Sequence, residues 1–256
     1  MEVIMYYKSR SIILKNRDLR ESDQLLTIFT EKEGKITAVA RGVKKPKSSL
    51  RGCVQPFCHS LLFYNRGKQM DLITQGKIID FFGNSREDIN RTLYSMYMME
   101  LIDKSLMEKV PLPNLYTALL RVFELINEEG LNLVLVRYFE SRLLVNLGYK
   151  PVVNQCARCG NRELKDYNFS LADGGLICHS CLEPTDSRIK LSGESVALIK
   201  LLCEGSLQTV QRVKASPAAM QQIELFLERY LEYYLERRFK VKNTIRWLKK
   251  AVPISI

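Results

Sequence analysis

Two groups of residues in this chain have the types and spacing to do chemistry. Cys156-Ala157-Arg158-Cys159 and Cys178-His179-Ser180-Cys181 are two CxxC pairs with eighteen residues between them. Each pair can turn both thiolates to one side of a tight knuckle, and two knuckles together close a tetrahedron suited to Zn2+. Four sulfur ligands leave no coordination position for a substrate water, so one zinc ion held here would be structural. Free thiols or a redox pair are the alternatives, but a redox CxxC would need a βαβ setting that the sequence lacks. His179 could replace one thiolate, though it reads better as an outward knuckle residue.

The second group lies in Thr37–Phe57. Arg41, Lys44, Lys45, Lys47 and Arg51 fall within eleven residues that contain no acidic residue. Gly42, Pro46, Ser48, Ser49 and Gly52 break any helical period, so the expectation is a flexible basic loop. A one-signed loop of this kind suits a polyanion, and a solvated loop without a ligand is its plain alternative. Catalytic signatures are missing: there is no phosphate-binding Gly-rich loop, no GxSxG, no HExxH and no deaminase pairing of HxE with PCxxC. A binding protein, and not an enzyme, is the simplest expectation.

The basic stretch needs a frame, and alternation supplies one. Strand-like runs occupy about 7–16, 24–30, 35–41, 58–65 and 70–82, with Lys35, Thr37, Val39 and Arg41 on one face of the third. Turns fall at Lys32-Glu33-Gly34 and Asn65-Arg66-Gly67-Lys68, with glycine where a positive φ is expected. Five short strands with a longer basic connection after the third fit a closed OB-fold barrel. The pattern alone also admits an SH3-like barrel or an open antiparallel sheet. Tyr6, Tyr7, Phe29, Phe57, Phe63, Tyr64, Phe81 and Phe82 are interleaved with the basic residues, and most are expected in the core.

Beyond residue 84 the period becomes helical. Ser85 and Asp88 form a candidate capping box for a helix reaching about residue 107. Further helices are expected at about 115–130, 133–147 and 193–203. The last starts at Ser216-Pro217, with Arg237, Arg238, Lys240 and Lys242 clustered at its C-terminal end. Between the cysteine pairs, Asp173-Gly174 marks a hairpin turn that returns the second pair to the first. The expected organisation is α+β: a barrel domain over 1–83, then an α-helical domain over 84–256 with the zinc module inserted at 152–186.

Thirty-nine basic and 28 acidic residues give the 256-residue chain a net charge of +11. Residues 1–85 carry 15 basic and 8 acidic residues, or +7, so the barrel is the electropositive part. That favours an anionic partner there. Nothing in the sequence approaches the apolar length of a membrane span, and Lys8 and Arg10 interrupt a signal-peptide pattern. Seven cysteines, four of them in CxxC pairs, point to a reducing, cytoplasmic setting. Cys53, Cys58 and Cys203 stand alone and read as packing.

Taken in order, several segments resemble the RecO family of bacterial recombination and repair mediators. They are Gly34-Lys35-Ile36, Ala40-Arg41-Gly42-Val43-Lys44-Lys45-Pro46-Lys47-Ser48, Arg51-Gly52 and Gln55-Pro56-Phe57. Tyr94, Tyr97, Glu100, Leu101, Leu147-Gly148-Tyr149, both CxxC pairs and Tyr230-Leu231-Glu232-Tyr233 continue the match over nearly the whole chain. The resemblance implies an N-terminal OB-fold, a zinc-bearing helical domain, binding of single- and double-stranded DNA, and annealing of complementary strands. It implies RecR as a partner, with RecF in some cases, and loading of RecA onto strands coated by single-strand-binding protein. The acidic C-terminal tail of that protein would be contacted, and the chain would be associated with the nucleoid. On this sequence, Arg41, Lys44, Lys45, Lys47 and Arg51 would hold phosphates, with Lys35 nearby. Similar proteins can lack the cysteines, so the metal would serve the fold. A zinc-ribbon transcription or RNA-binding factor without annealing activity is the competing reading.

Overall fold

The computed structural model describes residues 5–185 and 187–251, with side chains through residue 248. Five strands form the N-terminal part: β1 (Tyr6–Asp18), β2 (Gln24–Thr30), β3 (Gly34–Ala40), β4 (His59–Asn65) and β5 (Asp71–Asp80). They close in the order β1-β2-β3-β5-β4. β1 is long enough to pair β4 through its first half (Tyr6 opposite Asn65) and β2 through its second (Asp18 opposite Gln24). This double pairing removes the free edge that an open sheet would expose. β3 runs parallel to β5 and every other pair is antiparallel, so the expected OB-fold barrel is present.

Alternation explains the core. Ile36, Ala38 and Ala40 of β3 point inward to meet Ile13, Leu26, Ile28, Leu62, Tyr64 and Ile73. Lys35, Thr37 and Val39 take the outer face. Gly34 turns β2 into β3 at φ +72°, but Gly67 does not have a positive φ. Gly67 is small instead because a Cβ there would run into the Met70 carbonyl. Of the interleaved aromatics, Phe29, Phe57, Tyr64 and Phe82 are buried, whereas Tyr6 and Phe81 face solvent.

The connection from β3 to β4 differs from the expected flexible loop. It consists of successive turns, and Val43, Leu50, Cys53 and Val54 drop into the barrel core. These apolar residues follow no helical or strand period, which hid their role in the sequence. At its end Phe57 stacks on Phe82 at 5.0 Å and meets the edge of Phe123 at 4.9 Å.

Two compact units account for the chain. One comprises the residues up to Leu131 together with those from Phe239 onward; the other is Asn132–Arg238. In the first unit the barrel is joined by α1 (Gly83–Glu87), α2 (Ile89–Ser105), α3 (Pro113–Glu129) and the last helix of the chain. The expected Ser85 capping box is replaced by a different cap. Ser85 is buried inside α1, and the Asp88 carboxylate accepts from the Asn90 and Arg91 amides at 2.8 and 2.9 Å. Asp88 therefore starts α2.

The second unit holds α4 (Leu133–Asn146), α5 (Gly193–Glu204), α6 (Leu207–Gln211) and α7 (Pro217–Leu235). It also holds a small sheet of β6 (Tyr167–Ser170), β7 (Gly175–Ile177) and β8 (Arg188–Leu191), ordered β7-β6-β8. Ser216 caps α7 with Pro217 in its first turn, as expected. The helix does not run on into the basic cluster. It ends at Leu235, Glu236 turns left-handed at φ 50°, and Lys240 opens a separate α8 (Lys240–Ala251). Lys240 and Lys242 thus sit at a helix N-terminus, where cations are unfavourable. The Glu100 carboxylate offsets this by accepting from the Lys240 and Val241 amides at 3.0 and 2.9 Å. Among the described residues no helix is long and apolar enough to cross a membrane.

Candidate functional site

The sulfur cluster is built by a hairpin. β6 and β7 pair with Ser170 opposite Gly175, and Gly174 turns the chain at φ +66°. The returning strand delivers Cys178 beside Cys156. Val152 joins the same sheet through reciprocal bonds with the Gly174 and Leu176 backbone, and the Ala157 amide donates to the Leu176 carbonyl at 2.8 Å. All four sulfur atoms of Cys156, Cys159, Cys178 and Cys181 lie within 4.8 Å of one another, and those of Cys159 and Cys178 are 3.6 Å apart. A tetrahedron with metal–sulfur bonds of about 2.3 Å has edges of about 3.8 Å, so the set has the size and chemistry of a four-thiolate metal site. His179 is exposed and outside the cluster. Gly160 follows the first knuckle at φ +74°, a backbone conformation that favours glycine.

The electrostatics of the four thiols suit a cation. Burial acts to raise Cys156, but backbone amides of Cys178, Cys159 and Arg158 outweigh it and bring the thiol down to about 6. Cys181 is pushed up to about 12, chiefly by its contacts with the Cys159 and Cys178 sulfurs. Crowded thiolates repel, and a divalent ion among them would relieve that repulsion. Arg158 ties the parts together: Nε and Nη2 take the two Asp173 oxygens at 3.0 Å each, and Nη1 donates to the Cys181 carbonyl at 2.7 Å.

The basic residues divide. Arg41, Lys44, Lys45, Lys47 and Arg51 are all exposed on the anchored connection. Lys44 pairs with Asp18 at 2.9 Å, and its hydrogen bond is the main reason Asp18 sits below the usual carboxylate range. Among the described residues, Arg41, Lys45, Lys47 and Arg51 have no carboxylate partner. Lys35 is not brought to them. Six residues along a strand separate it from Arg41 by about 20 Å, and its Nζ donates to the Asp103 carbonyl of α2 at 2.5 Å.

The connection is stitched to the β1–β2 turn. The Gly42 amide donates to Asp23 Oδ1 at 2.8 Å and the Lys44 amide to the Ser22 carbonyl at 3.1 Å. Arg86 holds its far end, donating to the Pro56 and Phe57 carbonyls at 2.8 Å each. Beside Arg41 opens a cleft of about 450 Å3, whose lining includes Arg20, Asp23, Lys68 and Asp71. Arg20 and Lys68 were not among the expected site residues. They come from the β1–β2 and β4–β5 turns, the loops with which OB-folds grip strands, so the barrel order itself would have pointed to them.

Comparison with known proteins agrees with this architecture. The family model described as Recombination protein O N terminal matches residues 4–82, and Recombination protein O C terminal matches residues 86–243. A DNA repair protein RecO of Syntrophomonas wolfei is 56% identical over 250 residues, covering 97% of this chain and 99% of the relative. Proteins of the same name from Desulforamulus reducens and Oceanobacillus iheyensis are each 35% identical, with 96% or more of both chains covered. Matched at both ends by the family's own models and by full-length relatives, the chain belongs to the RecO family.

Proposed function

We propose that this RecO-family chain is a non-catalytic DNA-binding mediator of recombinational repair. It grips the sugar-phosphate chains of single- and double-stranded DNA and promotes annealing of complementary strands. The observation that carries this reading is the set of four exposed cations, Arg41, Lys45, Lys47 and Arg51, without carboxylate partners among the described residues. They ride on a connection whose apolar residues are fixed in the barrel core. A cationic surface held in place releases counterions from two strands and lowers their mutual repulsion, which speeds the encounter of complements without bond chemistry. Lys44 contributes by exchanging Asp18 for a phosphate, while Lys35 adds only to the surrounding field.

In this reading residues 1–83 are the DNA-binding domain, and 84–256 are the helical domain, with the module at 152–186 holding one structural Zn2+. Cys156, Cys159, Cys178 and Cys181 are the ligands, and the ion's part is to fix the hairpin. RecR and the acidic tail of single-strand-binding protein are the partners, with RecF and RecA engaged during loading, in the cytoplasm at the nucleoid. The test is fluorescence annealing of complementary oligonucleotides by the wild-type chain and by a Lys45→Glu, Lys47→Glu, Arg51→Glu variant. Annealing should fall at least tenfold in the variant, and an unchanged rate would refute the reading.

A further inference from the structure

The last helix presents a surface that the barrel's basic connection does not explain. α8 buries Lys242 and Ile245, with Phe239 buried just before it, and leaves Lys240, Asn243, Thr244, Arg246 and Trp247 exposed. Trp247 is the only tryptophan of the chain, and it is 66% exposed. It stands on the opposite side of the helix from Ile245 and Lys242, so it takes no part in docking α8. From Phe239 to the end the sequence carries five basic residues and no acidic one, with Lys249 and Lys250 following shortly after Trp247.

We infer that Trp247 and the cations beside it form a second nucleic-acid contact, in which the indole stacks on an unpaired base. This rests on the reading of the chain as a strand binder. An indole offers a π-face to any base, and Arg246 beside it and Lys240 two turns earlier offer charge to the flanking phosphates. Asn243 accepts from Arg246 Nη1 at 3.4 Å, which holds the guanidinium alongside the helix. A lipid surface fits poorly, because the helix's apolar side is already buried and Trp247 is its only large exposed apolar residue among those described. The indole favours single strands, since duplex bases are already stacked on one another.

The position of α8 makes the contact useful. The Glu100 cap secures the helix to α2, and Asp103 of α2 pairs with Lys15 of β1 at 2.6 Å. The first unit therefore carries two strand contacts on different elements, one on the β3–β4 connection and one on α8.

Trp247 supplies its own reporter. The full chain is titrated with a thymidine oligonucleotide while tryptophan emission is followed, and anisotropy of a labelled oligonucleotide records binding separately. Saturating single strands should quench the emission, and heparin, a polyanion without bases, should not. Trp247→Ala should weaken single-strand binding about fivefold or more, with Trp247→Phe falling between it and wild type. The loop charge-reversal variant should still quench, at higher oligonucleotide concentration. Binding seen by anisotropy with unchanged emission and an unaffected Trp247→Ala variant overturns the stacking site and leaves strand binding intact. No binding in either measurement overturns both readings. Equal quenching by heparin, or quenching by an acidic peptide and not by the oligonucleotide, also overturns the stacking site.

Discussion

Arg158 grips both carboxylate oxygens of Asp173 at 3.0 Å and spends its remaining nitrogen on the carbonyl of Cys181. One side chain thereby ties the first cysteine knuckle to the hairpin turn and to the second knuckle. Groups that orient ligands without touching the metal commonly change affinity 10- to 100-fold. Arg158→Ala should accordingly lower zinc affinity by about that range while leaving all four thiols present. Competition with a chromogenic chelator measures it, and an unchanged affinity would show that the knuckles position themselves.

The cap on α8 should be measurable as stability. Glu100 accepts from the Lys240 and Val241 amides and pairs with Lys104 at 2.5 Å, with its side chain only 13% exposed. Hydrogen bonds to a charged group contribute about 1.5–3 kcal/mol. Glu100→Ala should destabilise the chain by about 2 kcal/mol in urea unfolding, with loss of helical signal preceding the main transition.

Gly76 sets how closely the basic connection can lie on the barrel. A Cβ at this position would meet Leu62 Cδ2 at 2.7 Å and Cys53 Cβ at 3.0 Å. Overpacking of this kind costs about 1–3 kcal/mol. Gly76→Ala should lower Tm and also expose the connection to trypsin at Lys44–Arg51, because Cys53 is one of its anchors. A lower Tm with unchanged cleavage there would locate the strain elsewhere.

His59 gives the barrel a pH dependence. Burial, the largest influence, holds its imidazole below the ordinary value, and the residue is 4% exposed. The unfolded chain therefore binds the proton first, at about pH 6.5. Its contribution to stability is fully present above that value and is lost as pH falls toward the folded pKa. His59→Gln should flatten the rise of unfolding free energy with pH in the range below about pH 6.5.

Much of this was legible from alternation and spacing. Each of the five strands lies within a few residues of its expected place, because one face of each meets a core while the other meets water or a helix. The cysteine knuckles were legible because metal chemistry fixes their spacing. What escaped the sequence lacked a local period. Val43, Leu50, Cys53 and Val54 anchor the basic connection from irregular turns, so a fixed element read as a loop. The break after Leu235 is made by Glu236 in a left-handed conformation, without the glycine or proline that usually announces one. β8 is four residues long, too short for its alternation to stand out. Lys68 joins Arg41 only through the pairing of β3 with β5 that closes the barrel, and Lys35 leaves the group only because α2 packs where its side chain points.

The salt dependence of single-strand binding bears most directly on the central claim. Arg41, Lys45, Lys47 and Arg51 on about four phosphates should contribute about −3 to the slope of log affinity against log salt. The Lys45→Glu, Lys47→Glu, Arg51→Glu variant should bind more weakly at every salt concentration, with a slope shallower by about 2. A variant whose slope and affinity match the wild type would contradict the account, because the phosphates would then be held by another part of the molecule.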